Sequence, residues 1–429
     1  MPRNQENNGR SVSPLLSYFD NLEAIFLKTF ISLRGTKLGC KNREVTVMNR
    51  DRLVVVWSNK LSTIKKEALR RYCKNQGLIS TEIKTRNVFE ANREIEKAAE
   101  DWRIKHLLII GDAKEFPSLK YIFRNKARYT DIIYQDLGGE GNIILSVGRV
   151  FGNKETILSH LECSYGDSNL AVVFDTTPKT SELPVKALID LGFKVELLDR
   201  FSENKIPLLE DAEMILQYSD GTILDRVHGD NNSWFGGNPP TELLSWKDLS
   251  KIKFKYYPFV FSEACSTANF GLLVRKMLEA GGMYLGATSP TYNNPRVYRN
   301  WMTCHYCDGY KYGVLDSLDS CDTVGEVKVK VDRELFNTLN EKQQKEILDL
   351  EEGARERIDD IEVLATIQFM LFGNPQRPAT VGKRASFKIR EIPVTDVAKY
   401  GIYSKEDTTF FKLYQRGRYA IEGENIEDS

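Results

Sequence analysis

The chain has 429 residues, with 60 Lys or Arg balanced by 60 Asp or Glu, so its formal net charge is zero. A balanced charge without a clustered basic stripe argues against nucleic acid and anionic membranes as partners. The polar amino terminus, and the lack of about eighteen consecutive apolar residues, predict a cytoplasmic protein without a secretory leader or a membrane span.

The seven cysteines are odd in number and widely spaced, which is typical of reduced thiols rather than of a disulfide framework. Cys304, His305 and Cys307 lie together in "CHYC". One such pair without a matched second pair is a weak zinc signal. We therefore predict no metal and no cofactor.

The first part of the chain alternates between strands and helices. Apolar or β-branched runs predict strands over 51–59, 81–85 and 106–112, and helical spacing predicts helices over 62–77 and 90–102. This βαβαβ pattern is typical of parallel strands with helices on both faces.

After an irregular stretch at 113–153 and a helix at 154–163, the alternation resumes. The predicted strands cover 170–176, 193–199, 222–230, 256–265 and 283–288, with helices over 181–192, 208–220 and 270–282. Residues 334–372 also have helical spacing, and Gly373 ends it. The result is either two stacked α/β units or one long sheet built in two halves.

These patterns predict four regions. Residues 1–49 form an amino-terminal extension that is partly disordered, and 50–165 form a non-catalytic α/β subdomain. Residues 166–380 form the catalytic α/β subdomain, and 381–429 form a β-rich appendage.

Cys265 and His228 are the strongest candidates for chemistry, because each is predicted to end a strand of the same sheet. Chemistry collects beyond the carboxyl ends of parallel strands, and a helix amino terminus after Cys265 would favour its thiolate. A thiol beside an imidazole is a nucleophile beside its base, and the N–H of Gly229 is free to hold an oxyanion. The alternative is a buried cysteine and a structural histidine.

Several motifs resemble, in the same order, those of the gingipain family of cysteine peptidases within the caspase-like clan. The resemblance covers residues 50 to 380 and is carried by "HLLIIGDAKEFPS", "YTDIIYQDLGGEGNIILSVGRVFG", "VHGDNNSW", "FSEACSTANF", "LLVRKMLEAGGMYLGAT" and "FMLFGNP". It implies a caspase/gingipain-like doubly wound α/β sheet in two subdomains, mostly parallel, with helices on both faces.

The resemblance also implies the catalytic roles. Cys265 would be the nucleophile, His228 the general base and acid, and the N–H groups of Gly229 and Cys265 the oxyanion donors. The acidic residue that orients the histidine in gingipains has no clear match, so Asn153, Glu155 or a backbone carbonyl takes that role.

Other polar residues have two interpretations each. Trp234 is either a wall of the substrate cleft or ordinary core packing. Glu162 is either the acid that binds a basic P1 side chain or part of a solvated helix face. Asp112 is expected to cap a turn, and Asp131 and Tyr134 are expected to fix the irregular segment.

The prediction is a cysteine endopeptidase that cleaves proteins or peptides through an acyl-enzyme, after basic residues, with activity gated by a protein partner, a ligand or loop cleavage. The alternative is a catalytically silent relative that acts as a protein-binding module. A nucleotide-binding protein is disfavoured because no Gly-rich loop follows the first strand.

Overall fold

A computed structural model describes most of the chain between Leu53 and Thr380. The described residues are 53–102, 104–137, 141–162, 165–166, 168–174, 182–217, 232–236, 241–291, 310 and 313–380. The predicted extension at 1–49, the appendage at 381–429 and the predicted strand at 222–230 lie outside them. No helix among these residues is both long enough and apolar enough to cross a bilayer.

Fourteen strands are described, and they are numbered in chain order. They are β1 (Leu53–Ser58), β2 (Ile79–Ile83), β3 (His106–Ile110), β4 (Leu119–Phe123), β5 (Lys126–Thr130), β6 (Ser146–Val150), β7 (Leu170–Phe174), β8 (Lys194–Leu198), β9 (Met214–Gln217), β10 (Ser233–Gly236), β11 (Thr241–Ser245), β12 (Phe259–Ser262), β13 (Met283–Ala287) and β14 (Phe369–Phe372).

The α-helices are numbered in the same way. They are α1 (Lys66–Asn75), α2 (Val88–Trp102), α3 (Lys154–Glu162), α4 (Glu182–Asp190), α5 (Ile206–Glu210), α6 (Trp246–Leu249), α7 (Leu272–Glu279), α8 (Val324–Thr338), α9 (Glu341–Glu351) and α10 (Ile361–Ile367). Short 3-10 turns cover Ile132–Tyr134 and Glu203–Lys205.

Ten strands form one sheet in the order β2-β1-β3-β6-β14-β13-β12-β9-β7-β8. Every neighbouring pair is parallel except β13 and β14, which are antiparallel. The expected α/β fold with a mostly parallel sheet is confirmed. The one antiparallel pair means that the two halves of the sheet run in opposite directions, so their carboxyl ends lie at opposite edges.

Helices cover both faces of the sheet because alternate strand residues point to opposite sides. In the first half, Val54 and Val56 pack with α2, α9 and α10, whereas Val55 and Trp57 pack with α1 and α3. In the second half, Phe259 and Phe261 pack with α4 and α8, and Val260 packs with α5 to α7. Each half therefore has its own core on each face.

Three assignments from the sequence are corrected by the fold. Residues 214–217, which lie inside the predicted helix 208–220, form β9, because "MILQ" is buried throughout between β7 and β12. The irregular stretch contains β6 and the hairpin β4–β5. Residues 369–372, predicted as helix, form β14 in the centre of the sheet, where tertiary pairing overrides helical spacing.

A buried arginine organises the turns that follow the first-half strands. Arg149 is fully buried, and its Nε and Nη2 donate to the two oxygens of Asp131 at 2.8 and 2.7 Å. Its Nη1 donates to the carbonyls of Gly111 and Phe116, and Nη2 also donates to that of Pro117. All five donors of the guanidinium therefore have an acceptor.

The polar residues that were expected to be structural have that role. Asp112 Oδ1 accepts the N–H groups of Lys114 and Glu115, which caps the turn after β3. The Tyr134 hydroxyl donates to the carbonyl of Pro117 at 2.9 Å. Together with Asp131, these bonds fix the 111–134 segment, as predicted.

Candidate active site

Cys265 lies just beyond the carboxyl end of β12. The strand ends at Ser262, and the chain turns at Cys265 into a left-handed residue, Ser266, with φ of 61°. A positive φ is uncommon for a residue with a side chain and concentrates at functional turns. The Ser266 N–H donates to the carbonyl of Ser289 at 3.0 Å, which attaches this turn to the segment after β13.

The helix that follows Cys265 does not begin at the thiol. Helix α7 starts at Leu272, and the intervening loop runs back over the sheet, where Phe270 packs against Phe151 and Phe372. The prediction that a helix amino terminus adjoins the thiol is therefore wrong. The groups near the sulfur come from the turn itself and from the residues beyond β13.

The Cys265 sulfur is almost covered by Thr291. Cys265 is 3% exposed and is not in a disulfide. The Thr291 N–H donates to Sγ at 3.2 Å, and Thr291 Oγ1 lies 3.2 Å from Sγ. The Thr291 hydroxyl in turn donates to the carbonyl of Glu263 at 2.8 Å. Thr291 is therefore in direct contact with the candidate nucleophile.

Gln217 holds the backbone immediately before Cys265. It is the last residue of β9, the strand adjacent to β12, and it is 1% exposed. Its Oε1 accepts the Ala264 N–H at 3.1 Å and the Ser262 hydroxyl at 3.0 Å. These bonds hold the approach to the turn against the neighbouring strand.

His228 and Gly229 lie outside the described residues, but both flanks of their segment adjoin the Cys265 turn. Upstream, Gln217 contacts Ala264. Downstream, Trp234 Nε1 donates to the Tyr284 hydroxyl at 3.3 Å, and that hydroxyl donates to Thr267 at 2.6 Å. Gln217 therefore contacts the residue before Cys265 directly, whereas Trp234 is connected to the turn only through Tyr284.

Trp234 is part of the core. Its side chain is fully buried, stacks on Tyr284 with ring centroids 6.2 Å apart, and meets Phe174 edge-on at 5.8 Å. Of the two interpretations of Trp234, a cleft wall or core packing, these contacts support core packing, since no face of the ring is left for a ligand.

Asn153 and Glu155 lie at the other edge of the sheet from Cys265. Both follow β6, whose carboxyl end is opposite to that of β12 because the two halves of the sheet run in opposite directions. Strands of this length separate the edges by about 15 Å. Asn153 Oδ1 accepts the N–H and the hydroxyl of Thr156, both at 2.8 Å, and so caps α3.

Glu162 also lies away from Cys265. It is exposed at the end of α3, two residues after His160, whose Nε2–H donates to the carbonyl of Leu278 and whose Nδ1 bonds to the Tyr257 hydroxyl. Tyr257 precedes β12, whereas Cys265 follows it, so the length of the strand separates the two sites. The fold does not bring Glu162 to the candidate nucleophile.

The described thiols other than Cys265 are poor candidates for chemistry. Burial raises the pKa of Cys73 to about 11 and that of Cys321 to about 11. Within the described ranges, no group of three His, Cys, Asp or Glu side chains is arranged to hold a metal ion. Cys304, His305 and Cys307 lie outside those ranges.

Among the described residues at this site, Thr291 and Gln217 were not singled out individually from the sequence. Functional residues collect beyond the carboxyl ends of parallel strands, and this rule would have pointed to Thr291, because Thr291 follows β13 as Cys265 follows β12. Gln217 was assigned to a helix, and only the pairing of β9 with β12 places it beside the candidate nucleophile.

The comparisons with known proteins identify the fold. No family model matches the sequence, and no curated protein matches it. A solved structure described as a protease matches with a TM-score of 0.52 and 14% identity, over 80% of this chain and 82% of that one. A D-lactate dehydrogenase from Lactobacillus jensenii matches with a TM-score of only 0.17, at 10% identity, over 53% of this chain and 76% of that one, and carries no argument. The chain therefore shares its fold with the first of these structures.

Proposed function

We propose that this chain is a cysteine peptidase of the gingipain type, with Cys265 as nucleophile and His228 as general base and acid. One observation carries the proposal: Cys265 follows a central strand in a left-handed turn, and Gln217, which precedes the segment that bears His228, bonds to Ala264 in that turn. Trp234, after the segment, bonds to Tyr284, whose hydroxyl donates to Thr267. The protease fold and the ordered gingipain-like motifs support it.

In this mechanism, His228 takes the thiol proton and the Cys265 sulfur attacks the scissile carbonyl carbon, whose π electrons move to oxygen. The oxyanion collapses, the C–N bond breaks, and the imidazolium protonates the leaving amine. Water, activated by the same histidine, then releases the acid from the thioester. The N–H groups of Cys265 and Gly229 are the donors that the sequence assigns to the oxyanion.

The covered sulfur is consistent with gated activity. Since Thr291 lies against Sγ, residues 289–291 have to shift before a substrate carbonyl reaches the thiol. A protein partner, a ligand or cleavage of the chain would supply that shift. The proposed preference for basic P1 residues depended on Glu162, and its position gives no support to that preference.

A peptidyl electrophile tests the proposal. The full chain, as prepared and after limited proteolysis, is incubated with a mixture of peptidyl acyloxymethyl ketones. The adduct is located by mass spectrometry, and hydrolysis of a peptide library is measured beside it. We expect an adduct on Cys265, and we expect both Cys265→Ala and His228→Ala to lower turnover by about 10⁴-fold or more, because members of one catalytic unit are not additive.

Cys321→Ala is the matched control, because it removes a thiol of raised pKa that has no role in the mechanism. It should leave labelling and turnover unchanged. A wild-type chain that forms no adduct and cleaves no peptide, either as prepared or after limited proteolysis, would favour the alternative, a catalytically silent protein-binding module.

A further inference from the structure

The amide group of Gln217 has a definite orientation. Its Oε1 faces the Ala264 N–H, and a backbone N–H can only donate, so the atom that faces Ala264 must be the oxygen. The second lone pair of Oε1 accepts the Ser262 hydroxyl. The Ala264 N–H also donates to Ser262 Oγ at 3.1 Å. Exchanging the two amide atoms would place Nε2 against the Ala264 N–H and lose its bond to Oε1, so the amide nitrogen points to the other side of the side chain.

Nε2 of Gln217 is a buried donor that lacks an acceptor among the residues that the structure describes. Buried polar atoms are nearly always paired, because leaving one without a partner is unfavourable. The oxygen of Gln217 is bonded to the residues that precede the candidate nucleophile, whereas its two N–H bonds are unused within the described part of the chain. These N–H bonds are suited to donate to an acceptor on the substrate.

The Cys265 backbone N–H is a second unused donor in the same place. Within the described part of the chain, it has no hydrogen-bond acceptor, although the N–H groups on either side, of Ala264 and Ser266, are both bonded. The Ala264 N–H is the one held by Gln217, so the next N–H along the backbone lies within a few ångströms of the same side chain. Two unused donors thus lie at the turn that carries the candidate sulfur.

We propose that Gln217 is a catalytic residue, whose Nε2 joins the Cys265 N–H in binding the oxyanion of the tetrahedral intermediate. This inference rests on the proposed peptidase function. An oxyanion forms next to the attacked carbon, so its donors have to lie close to the nucleophilic sulfur and to be free before the reaction. Gln217 Nε2 is free of any acceptor among the described residues, and the Oε1 contacts hold the amide against Ala264, the residue that precedes the nucleophile.

The test separates reactions that form an oxyanion from one that does not. Peptide hydrolysis passes through an oxyanion, whereas iodoacetamide alkylates the thiolate by displacing iodide from a saturated carbon. Gln217→Glu keeps an oxygen for Ala264 and Ser262 but removes the NH₂ group. We expect kcat for the fastest-cleaved library peptide to fall about 10²–10³-fold, as for loss of one oxyanion donor, with alkylation of Cys265 within about threefold of wild type.

Two further variants keep the proposal falsifiable. Gln217→Met removes the donor without introducing a carboxyl group and should show the same split between hydrolysis and alkylation. Gln368→Glu makes the same change at another buried glutamine, whose Oε1 accepts the Ser289 hydroxyl at the same edge, and should leave kcat near wild type.

The outcomes distinguish the two levels of inference. If the wild-type chain cleaves peptides and Gln217→Glu cleaves them at nearly the same rate, the proposed role of the amide nitrogen is wrong. The proposed peptidase function would stand. Equal loss of hydrolysis and alkylation in both Gln217 variants would show that the side chain only supports the turn. A wild-type chain without any turnover or labelling would overturn the proposed function itself.

Discussion

The Arg149 turn and the Cys265 turn both follow strands of the central sheet, but they treat buried polar groups in opposite ways. At Arg149, every donor has an acceptor and the charge is balanced by Asp131. At Cys265, the backbone N–H and Gln217 Nε2 have no acceptor among the described residues. The Arg149 side chain therefore has no donor left for another bond, whereas the Cys265 turn has two donors that can still bind an acceptor.

This difference separates structure from function at two motifs that look equally polar in the sequence. A buried ion pair with complete hydrogen bonding fixes a conformation, and removing one partner leaves an uncompensated charge. Unused donors beside a thiol do not stabilise the resting protein, so they are available to bind a ligand or a transition state. Arg149 is therefore expected to affect stability, and the Cys265 surroundings to affect chemistry.

The largest expected effect on stability is at Arg149. Arg149→Met should lower the free energy of unfolding by about 3–5 kcal/mol, because it leaves the Asp131 carboxylate buried without its partner. Urea unfolding followed by circular dichroism measures the change. Arg70→Met is the control, since Arg70 pairs with Glu82 at the surface and should cost no more than about 1 kcal/mol. Equal costs would remove the contrast between the turns.

His160 should make stability depend on pH. Burial lowers its pKa from 6.5 to about 4 in the folded protein. Its contribution is therefore fully present above pH 6.5 and is lost as the pH falls through 4, by up to about 3 kcal/mol at about 1.4 kcal/mol per pH unit. The free energy of unfolding, measured with urea between pH 7.5 and 4, should fall less steeply with decreasing pH in His160→Gln than in the wild-type chain. An identical slope would mean that other groups dominate.

Thr291 should control access to the Cys265 sulfur. Thr291→Ala removes the Oγ1 atom that lies 3.2 Å from Sγ, so alkylation by iodoacetamide should become about tenfold faster, which corresponds to about 1.4 kcal/mol. Thr291→Ser keeps the oxygen and should react at nearly the native rate. If both variants react like wild type, the side chain does not limit access.

Glu162 should have the smallest effect. Because it is exposed at the opposite edge of the sheet from Cys265, Glu162→Gln should leave kcat/KM for Arg, Lys and apolar P1 peptides within about twofold of wild type. Library profiling of both chains measures this. A loss confined to basic P1 peptides would restore the role that the gingipain resemblance suggests.

Local sequence patterns were sufficient to predict the strands that are buried on both faces and alternate with helices. The runs "LVVVWS", "HLLII" and "LAVVF" are strands in the structure because continuous apolar residues require cover on both faces. The turn at Cys265 was also identified correctly as the end of a buried strand, since apolar residues stop abruptly there.

The sequence by itself determined the fold class and the position of the candidate nucleophile. Only the tertiary structure decided which residues surround it, because that depends on the antiparallel pairing of β13 with β14. This pairing reverses one half of the sheet, which takes Asn153, Glu155 and Glu162 to the far edge. The pairing of β9 with β12 brings Gln217 to the near edge. Strand order and direction come from long-range contacts, which local periodicity does not encode.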